Sequence, residues 1–256
     1  MAGSRDDTVA ALARHGELVG AADVLGLPPD TRAPRVRRYV EWTMIDADMV
    51  CRYVWHNLPD PTGGTTRYTL PGTEILRRDG GEFVTLAEFR NGDAEAAMFA
   101  RWHAAGSGVC PEAGAELRGI VGWAPEPRRV DVPREEMERA FGRLASRLAA
   151  TRRGGDWAPV VAVFTEDVRV RDHVSGFVEG RHALGAWIRD GVGRAPFERY
   201  EVRLRIIDGT RVSALLRVEG AGGGVDVNAL LHYAGDGRWS YVEVVYDPRE
   251  IRRLGT

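Results

Sequence analysis

Asp172 is the side chain whose setting points most directly to chemistry. It closes the stretch Val168-Arg169-Val170-Arg171-Asp172, where apolar and charged residues alternate as in a half-buried strand. Side chains two apart share a face, so Asp172 points where Val168 and Val170 point, toward an apolar interior. A carboxylate placed there can act as a general base if a substrate proton comes within hydrogen-bond reach. The same residue can instead cap the turn Val174-Ser175-Gly176 or pair with Arg169 or Arg171. Both readings stand at the level of sequence.

A second constellation is Arg217, Glu219 and Glu243. Two acids and an arginine around one water are what epoxide hydrolysis requires, and Glu243 is retained as a further acid candidate. Arg217 and Glu219 share one strand face, but Val212, Ala214, Leu216 and Val218 make the other face apolar. That pattern turns Arg217 and Glu219 outward, as surface ion-pairing residues. Glu243 has apolar neighbours at both parities, so its direction stays open. Trp157, Phe164, Trp187, Asn228, Trp239 and Tyr241 form a candidate substrate-binding set, with plain core packing as the competing role for the aromatics.

Several chemistries are disfavoured by what is missing. All 35 basic residues are arginine, which excludes a lysine Schiff base and a Walker-type phosphate loop. Cys51 and Cys110 form no CxxC pair. His173 and His182 approach one region, but Asp172 and His173 are adjacent on a strand and face opposite sides, so no metal site is expected. The glycine run at 220–224 is a strand turn rather than a dinucleotide loop, and no cofactor is expected.

The elements that must hold these residues read clearly in the second half. Val132 to Arg152 carries Met137, Phe141, Leu144 and Leu148 at helical spacing. Asp156 caps a short second helix whose buried stripe is Trp157, Val160, Val161 and Phe164. The strand ending at Asp172 follows, then a third helix, HALGAWIRDGV. After Pro196 come four strands: ERYEVRLRII, RVSALLRV, VDVNALLHY and RWSYVEVVY. Strands linked as hairpins and segregated from helices predict an α+β fold.

The first half repeats the meander. Strands are expected at 35–45, 50–56, 67–77 and 82–90, followed by an amphipathic helix from Asp93 to Gly106. RRYVEW parallels ERYEVR, and RRDGGEF parallels HYAGDGRW, in the same order. Only one helix, Asp7 to Leu25, precedes this copy, so it reads as truncated at its front, either by loss of two helices or by a start placed too late. The expected domains are 1–106, a linker at 107–132 rich in Gly and Pro, and 133–256.

The composition, 44% hydrophobic and 28% charged, is that of a folded globular chain. A formal net charge of −2 gives no field that would draw nucleic acid or a membrane surface. No apolar run approaches the roughly 20 residues needed to span a bilayer. The N-terminus, MAGSRDDTVAAL, lacks the apolar core of a signal peptide, and the expected location is cytoplasmic.

Phe164-Thr165-Glu166-Asp167, the Gly180-Arg181 step into a helix, and AGDGRWSYVEVVYDP resemble the SnoaL-like members of the nuclear-transport-factor-two superfamily. The resemblance covers about 120 residues of the second half and the meander of the first. It implies two cone-shaped modules, each a curved antiparallel sheet packed on helices, the cystatin-like α+β roll. It also implies an apolar pocket and pairing through the sheets, either within the chain as a pseudo-dimer or as a homodimer. Asp172 occupies the place where the isomerase subgroup keeps its base. The places of that subgroup's oxyanion donors hold Leu148 and Ala229, which cannot donate a hydrogen bond. Two readings follow. One is acid/base catalysis of an isomerase, cyclase, dehydratase or hydrolase step on a polyketide-, terpene- or steroid-like compound. The other is a non-catalytic ligand-binding or dimerisation module.

Overall fold

The computed structural model describes residues 7–8, 10–12, 37–58, 60–66, 68–80, 82–106, 132–151, 155–190 and 197–255. The chain divides into two compact units, Met1–Trp123 and Ala124–Thr256. The 107–131 stretch read as linker, and most of the first expected helix, lie outside the described residues; residues 7–8 and 10–12 are helical.

In the first unit β1 (Arg37–Asp46), β2 (Met49–Leu58), β3 (Tyr68–Asp79) and β4 (Glu82–Arg90) form an antiparallel sheet in chain order. Asn91 then starts α1 (Gly92–Gly106), its side chain accepting from the backbone N–H groups of Asp93 and Ala94 at 3.1 and 3.0 Å. Met98 and Ala105 of α1 bury themselves against Leu58, Tyr68 and Leu70. Arg52 and Glu74, register partners on β2 and β3, form a buried ion pair.

The second unit begins with α2 (Arg134–Ala150), which buries Met137, Ala140, Phe141 and Leu144 at helical spacing. The expected second helix is a single turn, α3 (Ala158–Val161), and Phe164 opens β5 (Phe164–Asp172) instead of completing a helical stripe. A four-residue strand that the sequence reading did not anticipate, β6 (Gly176–Glu179), pairs back on β5. Gly180, at φ +91°, turns the chain into α4 (Arg181–Asp190), and Arg181 pairs with Glu166 of β5 to fix the start of that helix. The remaining strands are β7 (Arg199–Asp208), β8 (Arg211–Gly220), β9 (Gly223–Gly235) and β10 (Arg238–Val245).

The sheet order is β6-β5-β10-β9-β8-β7. The meander is antiparallel, as the hairpin turns predict, but β5 joins β10 in parallel. Such a pair needs a crossover, which the chain makes through α4 and the meander. Bulges interrupt the register between Val202 and Leu204 and between Trp239 and Tyr241. Each adds local twist, and the sheet curls around α2.

Asp247 caps the short α5 (Pro248–Arg253), accepting from the Arg249 N–H at 2.9 Å. Gly222 donates its N–H to the Leu254 carbonyl at 3.0 Å, and a Cβ there would collide with the Arg253 carbonyl. The bare backbone of Gly222 therefore lets the end of α5 close on the β8–β9 turn. None of the helices among the described residues is long and apolar enough to cross a membrane.

Candidate functional site

The curled sheet of the second unit encloses a cavity of about 410 Å³. One wall comes from β8, β9 and β10, whose alternation turns Leu216, Val218, Ala229, Leu231, Val242 and Val244 inward. Phe141, Leu144 and Leu148 of α2 form another wall, with Leu184, Trp187 and Ile188 of α4 beside them; Ile251 of α5 and Leu254 just after it also contribute. Trp157, Phe197 and Tyr200 make an aromatic cluster in the same lining, with centroid separations of 4.7 to 6.2 Å.

One side of this apolar space is polar. Asp172 lines it while only 6% exposed. Its Oδ1 accepts the backbone N–H groups of Val174 and Ser175, both at 2.7 Å. The Tyr246 hydroxyl lies 3.3 Å from Oδ1 and 3.2 Å from Oδ2 and donates to the carboxylate. Asp172 thus caps the turn with one oxygen, as one reading expected, and also faces the cavity. Oδ2 has the Tyr246 hydroxyl as its hydrogen-bond donor.

Burial, and then the charge of Asp172, push the Tyr246 hydroxyl's pKa well above its ordinary value. Tyr200 is raised for the same first reason, and the charge of Tyr246 adds to it. Tyr200 lies on edge strand β7 and Tyr246 just beyond β10, with β8 and β9 between those strands, yet both line the same cavity, as a curved sheet allows. Both phenols are neutral hydrogen-bonding groups at physiological pH.

The other sequence candidates divide between the two faces of the sheet. Trp157, Phe164 and Trp187 line the cavity; Asn228, Trp239 and Tyr241 do not. Asn228 lies on the outer parity of β9, where it accepts from the Ser213 hydroxyl at 2.9 Å. Trp239 fills the core between Phe141 and Tyr233, at ring separations of 6.4 and 5.3 Å. The bulge after it reverses parity, so Tyr241 emerges on the opposite face and packs its ring against His232 at 4.7 Å.

Glu243 is also turned away from the cavity. It anchors a buried cluster on the outer face, with Arg171 at 3.2 Å, His173 at 2.6 Å and the Tyr241 hydroxyl donating at 2.8 Å. Burial alone would raise the pKa of Glu243. The hydrogen bond and charge of His173, the charge of Arg171 and the Tyr241 hydroxyl outweigh it and hold the carboxyl below its usual value. Glu243 thus sits in a buried ion cluster and is absent from the cavity lining. Arg217 and Glu219 face outward as expected, but they pair with Asp226 at 3.1 Å and Arg199 at 2.6 Å rather than with each other. No group of three metal-ligating side chains gathers among the described residues.

Sequence reasoning missed Tyr246. The signal was present, since it continues the parity of Val242 and Val244, but apolar residues occupy both parities of β10 and hid the inward face.

Residues 145–242, which supply most of this lining, match a family model described as a SnoaL-like domain. The second unit is a SnoaL-like domain. Similar solved structures include an NTF2-like protein from Burkholderia pseudomallei K96243, 20% identical over 47% of this chain and 98% of its own, with a TM-score of 0.39. Another is a protein with a cystatin-like fold from Silicibacter pomeroyi DSS-3, 19% identical over 47% of this chain and 82% of its own, TM-score 0.39. A third is an NTF-2-like protein from Burkholderia xenovorans LB400, 18% identical over 44% of this chain and 85% of its own, TM-score 0.38. No curated protein matches the chain. Leu148 and Ala229, which the resemblance set opposite the isomerase subgroup's oxyanion donors, both line the cavity of this SnoaL-like domain with hydrocarbon side chains.

Proposed function

We propose that the SnoaL-like domain binds a small hydrophobic molecule in its cavity, with Asp172 and Tyr246 meeting the polar part of that molecule. The observation that carries this reading is an apolar space of about 410 Å³ bordered by one buried carboxylate. Such a volume, with few convergent polar groups, suits a ligand rather than a packing defect. The compound class is polyketide-, terpene- or steroid-like in size and apolarity.

Asp172 is the group through which such a site would do acid/base work. Its Oδ2 would take a proton from the bound molecule, with the Tyr246 hydroxyl supporting the charge on the carboxylate. The absence of donors at Leu148 and Ala229 favours a second reading, binding without turnover, because neither side chain can stabilise a developing enolate. In the first unit, the order β1-β2-β3-β4 matches that of the four-strand meander and supports its reading as a second copy of the sheet.

A thermal-shift screen of apolar compounds against the wild type and Ala229→Phe tests the binding reading. Ligands are expected to raise the wild-type Tm by several degrees at saturation. The added ring occupies the cavity, so the shift should shrink or vanish in the variant. A compound that shifts both proteins equally binds elsewhere, and a screen with no shifts at all counts against the reading.

A further inference from the structure

The cavity has a charge asymmetry that narrows the class of ligand, provided it is a ligand site as proposed above. Asp172 is the one carboxylate in the lining, and neither arginine nor histidine lines the cavity among the described residues. The basic side chains nearest in sequence, Arg171 and His173, are directed to the opposite face, where both meet Glu243. Among the described residues Asp172 is therefore balanced only by dipoles: the N–H groups of Val174 and Ser175 and the hydroxyl of Tyr246. A buried carboxylate without a cationic partner favours binding of one.

The surroundings fit a cation with an apolar body. Ser175 is exposed and also lines the cavity, so the Asp172 turn lies at the rim rather than at the closed end. A head group bound to Oδ2 would stay close to water while its hydrocarbon part filled the space beneath. Trp157, Trp187, Tyr200 and Tyr246 supply aromatic surface in the same lining, which attracts a cation through the ring quadrupole. A carboxylate-bearing ligand would meet repulsion and no compensating base.

We infer that the cavity selects a hydrophobic amine, bound as the ammonium ion with its positive charge on Asp172 Oδ2.

Three rigid probes of nearly equal shape test this: 1-aminoadamantane, 1-adamantanol and adamantane-1-carboxylate. Each is titrated into the full chain near pH 7.5, where the amine is protonated, by calorimetry and by the fluorescence of the cavity tryptophans. The amine is expected to bind about tenfold or more tightly than the alcohol, the margin between a charge-assisted and a neutral hydrogen bond. The carboxylate should bind weakest. In Asp172→Asn, which keeps the shape and loses the charge, the preference for the amine over the alcohol should collapse to about twofold or less. Equal wild-type affinity for amine and alcohol overturns the charge selection while leaving the cavity as a ligand site. A preference that survives in Asp172→Asn overturns the assignment to this carboxylate. If no probe binds, the cavity reading fails and this inference fails with it. The wild-type ranking decides the question even if the variant does not fold.

Discussion

Replacing Glu243 by alanine is expected to destabilise the second unit by about 3–5 kcal/mol, the range for breaking a buried ion pair from one side. Glu243 is 1% exposed, and its carboxylate is shared by Arg171, His173 and Tyr241. Truncation leaves the buried Arg171 guanidinium and the His173 ring without it. Glu243→Gln should cost less, because the amide oxygen can still accept the hydrogen bond from Tyr241. Urea unfolding of the full chain, with the midpoint and slope both recorded, measures the loss. Since Glu243 faces away from the cavity, affinity for an apolar ligand should change by less than about twofold in any variant that remains folded. A stable Glu243→Ala protein that has lost ligand binding would contradict the assignment of Glu243 to the outer face.

The second large effect is a pH dependence set by His232. Burial, reinforced by the Arg211 charge and opposed by Glu243, lowers its pKa from 6.5 to about 4. The fold therefore holds this imidazole neutral, while the unfolded chain lets it protonate near pH 6.5. Between those two values the unfolded state binds more protons, so stability rises with pH across the window. It is fully present above about 6.5, declines as the pH falls toward 4, and then levels off for this residue. Integrating between pH 7 and pH 5 gives a loss of about 2 kcal/mol. The difference between wild type and His232→Gln isolates it: the variant should lose less stability over the same interval. Glu243 contributes at lower pH, because a carboxyl with a lowered pKa loses its stabilisation as pH falls below its unfolded value of 4.5 and through its folded one. Identical pH profiles for wild type and His232→Gln between pH 5 and 7 would show that His232 titrates freely in the fold.

Much of this architecture is legible in the sequence because alternation and turn residues are local signals. Val168, Val170 and Asp172 share a parity that no bulge interrupts, so the inward direction of Asp172 follows from spacing alone. The same rule places Asn228 outward, with Leu230 and His232, against the expectation that it binds substrate. On β10 the rule fails for a physical reason. Trp239 and Tyr241 are two apart, yet the bulge between them places one in the core and the other on the outer face. A bulge depends on pairing with β9 and leaves no mark in the residues themselves. The brief strand β6 was hidden for a related reason: Gly176 to Glu179 is too short to show a period, and its pairing partner β5 supplies the order.

The faces of the sheet also supply the most direct test of the account. Methyl NMR of the full chain, titrated with cyclohexane, reads which side of each strand meets an apolar guest. The cavity described here predicts shifts at the methyls of Leu216, Ala229, Leu231 and Val244, which line it. Leu215, Leu230 and Val245, at the opposite parity of the same strands, should not move. Shifts confined to that second set, or no shifts as cyclohexane approaches saturation, would contradict the presence of a ligand-accepting hollow in the second unit.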